Sequence, residues 1–291
     1  MLVIGGLIVV LAAVAGGYLW EGGHLALLFQ PGEFAIIGGA AAGMLLVGTP
    51  MAVLRAMLGQ IQRLLTPPPV RQDFADLLVM LYQLFRVAQS TGVMALEPHL
   101  DNPRESTIFA RYPRFLARAS SVAFLADSAR VIIVGGISPH DFDHLMYEDL
   151  EIRQREALQP ASMLTKVGDA LPGFGIVAAV LGVVITMQAI DGPVTEIGHK
   201  VGAALVGTFL GILLSYGFAQ PLASSLEHRV GEELNIDQTI KAGLLALHKG
   251  FAPAIAVEFA RRAIPDEVRP SFEETEQLCR GARGDQQQAA A

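Results

Sequence analysis

Two long apolar stretches in the second half of the sequence, 171–190 and 201–220, contain hydroxyl and amide side chains. These are Thr186, Gln188, Thr208, Ser215 and Tyr216. Such groups could line an ion path, because a proton moves along hydrogen-bonded groups and a cation takes oxygen ligands. A hydroxyl on an apolar helix can instead donate to a backbone carbonyl one turn earlier and have no further role. The residue types leave both interpretations open.

A proline lies at one end of each of these stretches: Pro172 begins the first, and Pro221 follows the second. Proline has no N–H group, so the carbonyl one turn earlier is left free and the helix can bend. Each proline alone could simply mark a helix end. Two prolines at the same depth on neighbouring helices would also fit a gate.

Asp, Glu, Lys, Arg and His are absent from the apolar stretches 2–20, 34–53, 171–190 and 201–220. A proton relay through lipid needs an ionisable group, typically Asp, Glu or His. If the protein conducts protons, we therefore expect a partner subunit to supply the carboxylate.

Each of these four stretches can cross a bilayer as an α-helix, which takes about 20 mostly apolar residues. The chain is 52% hydrophobic and 17% charged, whereas soluble domains carry roughly 25% charged residues. We therefore predict an all-α membrane protein with four transmembrane helices. Its parts are two helices with a short periplasmic loop (1–53), a cytoplasmic helical domain (54–170), two further membrane helices (171–220) and a cytoplasmic helix with a disordered tail (221–291).

The distribution of Lys and Arg predicts the orientation in the membrane. The connection 19–33 has none and the connection 191–200 has one, whereas 54–170 has 12 and 221–291 has 8. Positively charged segments remain in the cytoplasm. Both short loops should therefore face outwards, and both termini should be cytoplasmic.

Small residues recur every four positions in two of the predicted spans. The fourth span has Ala203, Gly207, Gly211 and Ser215, and the second has Gly39 and Gly43. Small residues at this spacing let helix backbones touch in lipid. We expect the longer stripe to contact another chain and the glycine pair to pack within this chain.

Capping patterns predict three helix starts outside the spans. One is Asn102 to Glu105, with Pro103 at the first helical position and Glu105 closing a capping box. Ser138 to Asp141 should begin a helix that continues into the third span, and Ser271 to Glu274 should begin a short last helix. The polar segment 285–291 should be disordered.

Several function classes are disfavoured by composition. The net charge of −7 argues against a nucleic-acid partner, and the single Cys279 excludes an intramolecular disulfide. His140, His144 and Glu148 have metal-ligand spacing on one helix face, but a hydrated helix surface is the simpler explanation. We expect no metal, no cofactor and no enzymatic activity.

Motifs along nearly the whole chain resemble the MotA flagellar stator proteins of the MotA/TolQ/ExbB proton channel family. They are GGY at 16–18, QPGE at 30–33, IIGG at 36–39, LDNPRES at 100–106, LPGFGIVAAV at 171–180, VGTFLGILL at 206–214, FAPAIAVEF at 251–259 and RPSF at 269–272.

The resemblance implies a homo-oligomer of this chain around the membrane helices of a MotB dimer in the bacterial inner membrane. MotB would supply the essential aspartate and anchor the complex to peptidoglycan. Proton flow past that aspartate, through a channel formed by 171–220, would move the cytoplasmic domain against the rotor protein FliG and generate torque.

Several functional residues of the family also have counterparts at matching positions of this sequence. Pro172 and Pro221 match its two functional prolines, Thr208 its channel threonine and Tyr216 a conducting-helix tyrosine. Sodium-driven relatives have a threonine where this chain has Ala179, so the resemblance implies proton coupling.

The rotor-facing positions match less completely. Glu97 matches the family's rotor-facing glutamate, but Gln89 stands where proton-type members have an arginine. Arg86, one turn earlier on the helix, is the candidate to replace that arginine.

Two other functions remain to be distinguished from a stator. A TolQ/ExbB-type energiser of outer-membrane processes shares the two channel helices, but those relatives have three spans rather than four. A membrane scaffold that conducts nothing would tolerate the loss of Pro172 or Thr208.

Overall fold

The computed structural model describes residues 2–188 and 190–289 as a chain of helices. The α-helices are α1 (Leu2–Trp20), α2 (Pro31–Gly48), α3 (Met51–Arg63), α4 (Arg71–Thr91), α5 (Glu97–Asp101), α6 (Pro113–Leu116), α7 (Ala119–Val134), α8 (Pro139–Met187), α9 (Val194–Leu214), α10 (Gln220–His248), α11 (Pro253–Arg262) and α12 (Phe272–Ala289). Residues 2–188 and 190–289 contain no β-strand. The predicted all-α class is confirmed.

Four helical segments are long and apolar enough to cross a membrane, as predicted. They are α1, the segment Leu25–Gly48 that ends in α2, the apolar part of α8, and the segment Val194–His248 that contains α9. The third and fourth continue well beyond the bilayer as helices. Pro172 therefore lies inside α8 rather than at its start, and the chain remains helical past Pro221.

The second span begins earlier than predicted, and this changes one conclusion. Pro31 occupies the first turn of α2, where its missing N–H group costs nothing, so Glu33 becomes part of the helix. The side chain of Glu33 is buried. The expectation that the membrane helices contain no carboxylate is therefore wrong for α2.

The helices form two compact units, which we describe separately. The first consists of the chain up to Thr66 together with Ala157–Arg229. Its interior is small and consists of apolar side chains from α2, α8 and α9, such as Ile37, Leu171 and Leu210. Many large apolar side chains face outwards, including Trp20 at 90% exposure. Such a surface is expected of helices whose outer faces meet lipid.

Glycines bring α8 and α9 into backbone contact within the first unit. A Cβ added at Gly175 would lie 2.7 Å from the Gly207 carbonyl oxygen, and one added at Gly211 would lie 2.6 Å from the Leu171 carbonyl oxygen. We call Gly175, Gly207 and Gly211 the glycine seam. The two seam glycines of α9 thus pack within the chain, contrary to the expected contact with another chain.

The glycine pair of α2 shows the opposite pattern. A Cβ added at Gly39 or Gly43 would meet no atom within 4 Å. The expectation that this pair packs within the chain is therefore wrong. The pair lies on a surface that is open in the single subunit.

The second unit consists of Pro67–Glu156 and Val230–Ala291. Its core is larger and is built from fully buried aromatic and aliphatic side chains, among them Phe74, Phe85, Phe124 and Phe142. Cys279 is also buried there, and burial raises the pKa of its thiol to about 12. At neutral pH the thiol is therefore protonated and unreactive.

The predicted helix start at Asn102 is wrong, because residues 103–105 form a turn and no helix begins there. The other two predicted helix starts are confirmed by their hydrogen bonds. At the start of α8 the Asp141 amide donates to Ser138 Oγ at 3.1 Å. At the start of α12 the Glu274 amide donates to Ser271 Oγ at 3.1 Å, and the Ser271 amide donates to Glu274 Oε2 at 3.2 Å. Each arrangement satisfies N–H groups that have no partner inside the helix.

The C-terminal segment differs from expectation. Helix α12 continues to Ala289, so residues 285–289, predicted to be disordered, are helical. The last two positions of that predicted tail, 290 and 291, lie outside the described residues.

A clamp of charged groups holds α11 against the segment before α12. Glu258 accepts hydrogen bonds from Arg261 Nε at 2.7 Å, from Arg261 Nη2 at 2.9 Å and from Arg262 Nε at 2.7 Å. The Arg261 hydrogen bonds are the main reason why the pKa of Glu258 is lowered. Arg261 also donates to the Pro270 carbonyl at 3.0 Å, which links the helix to the following chain.

Candidate ion-conducting site

The contact between α8 and α9 brings Ala179 close to the turn that contains Thr208. A Cβ added at Gly207 would lie 3.1 Å from the Ala179 backbone nitrogen and 3.2 Å from Ala178 Cβ. Thr208, the next residue, is half-buried, as is Ala179. The two positions assigned from the sequence therefore lie at the same level of adjacent helices.

The hydroxyl groups of α8, α9 and the turn after α9 differ in their partners. Thr186 Oγ1 donates to the Gly182 carbonyl at 2.8 Å, which is the local bond common to hydroxyls on apolar helices. Ser215 Oγ is buried without a hydrogen-bond partner in the described residues. For Thr208 the described part of the chain likewise provides no hydrogen bond to the side chain. The Thr208 hydroxyl is thus available to water or to a carboxyl group.

A π-helical turn, Ser215–Ala219, joins α9 to α10. It exposes the Tyr216 side chain to 67% and turns Ser215 inwards. Pro221 follows two residues later and cannot donate a hydrogen bond to the carbonyl one turn earlier. A π turn beside a missing hydrogen bond is a local widening of the helix, and such turns occur often at functional sites.

The two prolines lie close to one polar contact between α8 and α10. Gln220 Nε2 donates to Asp169 Oδ1 at 2.6 Å. A Cβ added at Gly168 would lie 3.2 Å from Gln220 Cγ. Because Asp169 precedes Pro172 by one turn and Gln220 precedes Pro221 directly, this bond ties the two proline regions together. Sequence reasoning missed both residues, although their closeness to the prolines was a usable signal.

Glu33 is the other residue that sequence reasoning missed. Its side chain reaches the glycines of the α8–α9 contact, and its Oε2 atom has no hydrogen-bond partner in the described residues. The signal was an acid directly before an apolar run, inside the QPGE motif at 30–33.

The residues expected to face the rotor lie in the second unit, on α4 and α5. Glu97 is the first residue of α5 and is exposed, as is Gln89 near the end of α4. Arg86 is half-buried, and its Nη1 atom is buried without a partner in the described residues. Arg86 therefore presents less of its charge to the surface than an exposed arginine at position 89 would.

Among the described residues, no three His, Cys, Asp or Glu side chains lie together in a way that could hold a metal ion. His144 Nδ1 lies 3.6 Å from Glu148 Oε1, and both side chains are well exposed. The pair is explained as a hydrated contact on the surface of α8.

Comparison with known families gives two matches that together span most of the chain. Residues 4–92 match the Motility protein A N-terminal family, and residues 114–238 match the MotA/TolQ/ExbB proton channel family.

Individual relatives are similar over almost the full length. The Motility protein A of Salmonella typhimurium and that of Escherichia coli are each 43% identical over 289 residues, covering 99% of this chain and 98% of the relative. The Chemotaxis protein LafT of Vibrio parahaemolyticus is 38% identical and covers 93% of this chain and 95% of its own.

Solved structures share the fold at lower identity. The structure of C. jejuni MotAB matches with a TM-score of 0.76 at 18% identity, covering 92% of this chain and 98% of that chain. The flagellar MotAB stator complex from Bacillus subtilis matches with a TM-score of 0.67 at 20% identity, covering 88% of this chain and 92% of that chain.

Proposed function

The chain belongs to the MotA/TolQ/ExbB proton channel family, and on that basis we propose how it works as a flagellar motor component. It is an inner-membrane protein and a stator subunit of the bacterial flagellar motor. The observation that carries this conclusion is the 43% identity to two motility proteins over 99% of the chain. Four spanning segments, in place of three, favour this role over a TolQ/ExbB-type energiser.

The partner in the membrane is a MotB-type protein, with several copies of this chain assembled around it. The two MotAB structures that share the fold support a complex of this composition. We propose that the partner supplies the essential aspartate beside Thr208. The positive charges of 54–170 and 221–291 support cytoplasmic N- and C-termini.

Protons are the proposed coupling ion, with no cofactor and no catalytic activity. Ala179 lies beside the turn of Thr208 and has no side-chain oxygen, so one possible ligand of a sodium ion is missing. The free Thr208 hydroxyl can hydrogen-bond water or a protonated carboxyl group, which is sufficient for a proton path.

Gating is proposed to occur where α8 and α10 meet. Pro172 and Pro221 each remove a helix hydrogen bond, the π turn with Tyr216 widens the helix, and the Asp169–Gln220 bond links the two helices. Together they form a region that can bend when the partner's aspartate gains or loses a proton.

The proposed contact with the rotor uses Glu97, supported by Arg86 in place of the arginine absent at Gln89. Exposed Glu97 can form a charge pair with a basic residue of FliG. Movement at the membrane would reach the rotor through this contact and generate torque.

The test of the proposed function is proton flux and swimming in a strain that lacks both this gene and the gene of its MotB-type partner. Expression of the chain alone should restore neither, and co-expression with MotB should restore both. Swimming speed should be unchanged when sodium is replaced by potassium at fixed pH, and a protonophore should abolish it. Proton flux from the chain alone, or a speed that follows sodium and survives the protonophore, would contradict this proposal.

A further inference from the structure

Glu33 is an acidic side chain enclosed by membrane helices. It is the third residue of α2 and is only 8% exposed. A Cβ added at Gly207 of α9 would lie 2.5 Å from Glu33 Oε2, and one added at Gly182 of α8 would lie 3.5 Å from Glu33 Oε1. The carboxyl group thus occupies space that exists because both neighbouring helices have glycine there.

No opposite charge compensates this carboxyl group. Oε2 is buried without a hydrogen-bond partner, and the described residues contain no ion pair to Glu33. Helix α8 has no titratable residue from Leu171 to Met187. On α9 the titratable residues are Glu196, His199 and Lys200, and Lys200 is paired with Glu196 at 2.9 Å.

An unpaired carboxylate in such surroundings is unfavourable, which favours the protonated form of the group. The protonated form is neutral and has one O–H donor and free acceptor positions. It can therefore pass a proton to a water molecule or a hydroxyl group that comes within hydrogen-bond distance.

The groups beside Glu33 are those already assigned to the ion path. Gly207, which it contacts, directly precedes Thr208, and the Ala179 backbone nitrogen lies 3.1 Å from the same Cβ position of Gly207 that Glu33 Oε2 approaches. Gly182 accepts the hydrogen bond of Thr186. The carboxyl group is therefore placed at the level of the channel residues by contacts with both channel helices.

We propose that Glu33 is a second proton-binding site of the stator, located in this subunit itself, which loads the ion path beside Thr208. The transferred species is a proton only: the O–H bond at Glu33 breaks as an O–H bond forms on a neighbouring water molecule, and Glu33 is reprotonated from the aqueous side. This rests on the proposed function, because the proton continues to the partner's aspartate.

The test uses the intact complex with its MotB-type partner and compares three variants. Glu33→Gln has nearly the same shape and cannot release a proton, and Glu33→Asp keeps a titratable group. Glu21→Gln removes an exposed acid of the neighbouring loop and is the matched control. Proton flux is measured in cells as a function of external pH, and infrared spectra of the purified complex are recorded in H₂O and D₂O.

We expect Glu33→Gln to lower flux by roughly a hundredfold, the lower end of the range for loss of a proton-transfer group. Glu33→Asp should retain most of the flux with a displaced pH profile, and Glu21→Gln should behave as the unchanged protein. The infrared spectrum should contain a C=O band of a protonated carboxyl group that responds to D₂O, moves in Glu33→Asp and is absent in Glu33→Gln.

Unchanged flux and pH profile in Glu33→Gln would overturn the loading role. If Glu33→Gln does not assemble, the infrared spectra of the unchanged protein and of Glu33→Asp are compared. A carboxyl band that is absent, or that has the same position in both proteins, would overturn the binding site. A complex that shows the Glu33 band but conducts no protons would contradict the proposed function while supporting the binding site.

Discussion

Gly207 is the residue on which the local arrangement of the proposed ion path depends most directly. Three atoms of other residues lie within 3.2 Å of the position that its Cβ would occupy: Glu33 Oε2, the Ala179 nitrogen and Ala178 Cβ. Two of the three belong to α8, a packed helix, so they cannot all move away. A glycine here permits both the backbone contact and the enclosure of the carboxyl group.

We therefore predict that Gly207→Ala destabilises the assembled protein by about 1–3 kcal/mol, the usual cost of overpacking. The measurement is thermal unfolding of the detergent-purified complex. Gly202→Ala on the same helix is the control, because a Cβ there meets no atom within 4 Å. Equal melting temperatures for the two variants would show that the contact around Gly207 is not tight.

Glu258 provides a prediction of pH dependence outside the membrane. Its pKa is lowered in the folded protein, mainly by Arg261, so the ionised form contributes stability above the unfolded-state pKa. That contribution disappears as the pH falls through the lowered pKa. Glu258→Gln should therefore reduce stability at neutral pH by about 1–3 kcal/mol and make little difference in acid.

Thermal unfolding at neutral and acidic pH measures this difference. The control is Glu276→Gln, because Glu276 pairs with Arg280 and both side chains are well exposed. Exposed pairs contribute little, about 0–1 kcal/mol. A Glu258→Gln effect that persists unchanged in acid would mean that the clamp acts through shape rather than charge.

At the scale of single residues, the sequence identified candidate residues of the ion path but not which side chains are buried. Ala179 and Thr208 were identified from motifs, whereas the enclosure of Glu33 on α2 depends on α8 and α9, which are far from α2 in sequence. An apolar-stretch criterion also excludes Glu33, because it starts the second span at the first uncharged residue. The burial of an acid follows from tertiary contacts, which spacing along one helix does not encode.

At the scale of elements, the prolines and the π turn define the region expected to bend. Pro221→Ala restores an N–H group that can donate to the carbonyl one turn earlier, and Pro172→Ala does the same inside α8. Each variant should assemble normally and swim at a reduced speed because the helices become straighter and stiffer.

Swimming speed and the recovery of the purified complex test this prediction together. Pro160→Ala is the matched control, because Pro160 also lies inside α8 but precedes its apolar part. If the Pro172 and Pro221 variants swim as fast as the control, the prolines do not form a functional hinge.

Local capping patterns predicted two of three helix starts outside the spans. The caps at Ser138 and Ser271 are formed by residues within one turn of the helix start. The same pattern at Asn102 starts no helix, because residues 103–105 form a turn. The partners of the small-residue stripes were assigned wrongly, because spacing shows that a helix has a close-packing face but not which helix meets it. Gly39 and Gly43 remain open in the single subunit and are candidates for contact with another chain.

At the scale of the whole molecule, the proposed role requires a charged contact with the rotor. Glu97→Lys should reduce swimming strongly, because the charge pair with a basic FliG residue becomes a repulsion. Insertion into the membrane should be unaffected, since Glu97 is exposed on α5 of the second unit. Swimming in soft agar and the amount of protein in isolated membranes are the measurements.

Glu105→Lys is the control for this experiment, because Glu105 is a nearby exposed acid. Addition of Arg86→Glu to Glu97→Lys examines whether the half-buried Arg86 takes part. Normal swimming of the Glu97→Lys variant would remove Glu97 from the proposed interface.

The glycine seam also limits which second mutations can restore motility. Gly175 and Gly211 face each other across α8 and α9, and every replacement of glycine adds at least a Cβ. When a large residue is introduced into an ordinary core, a second mutation to a smaller neighbour can relieve it. Here the neighbour is already glycine, so no smaller residue exists. Selection for restored motility from a Gly175 or Gly211 mutant should therefore yield true revertants at the same codon and no compensating change across the contact.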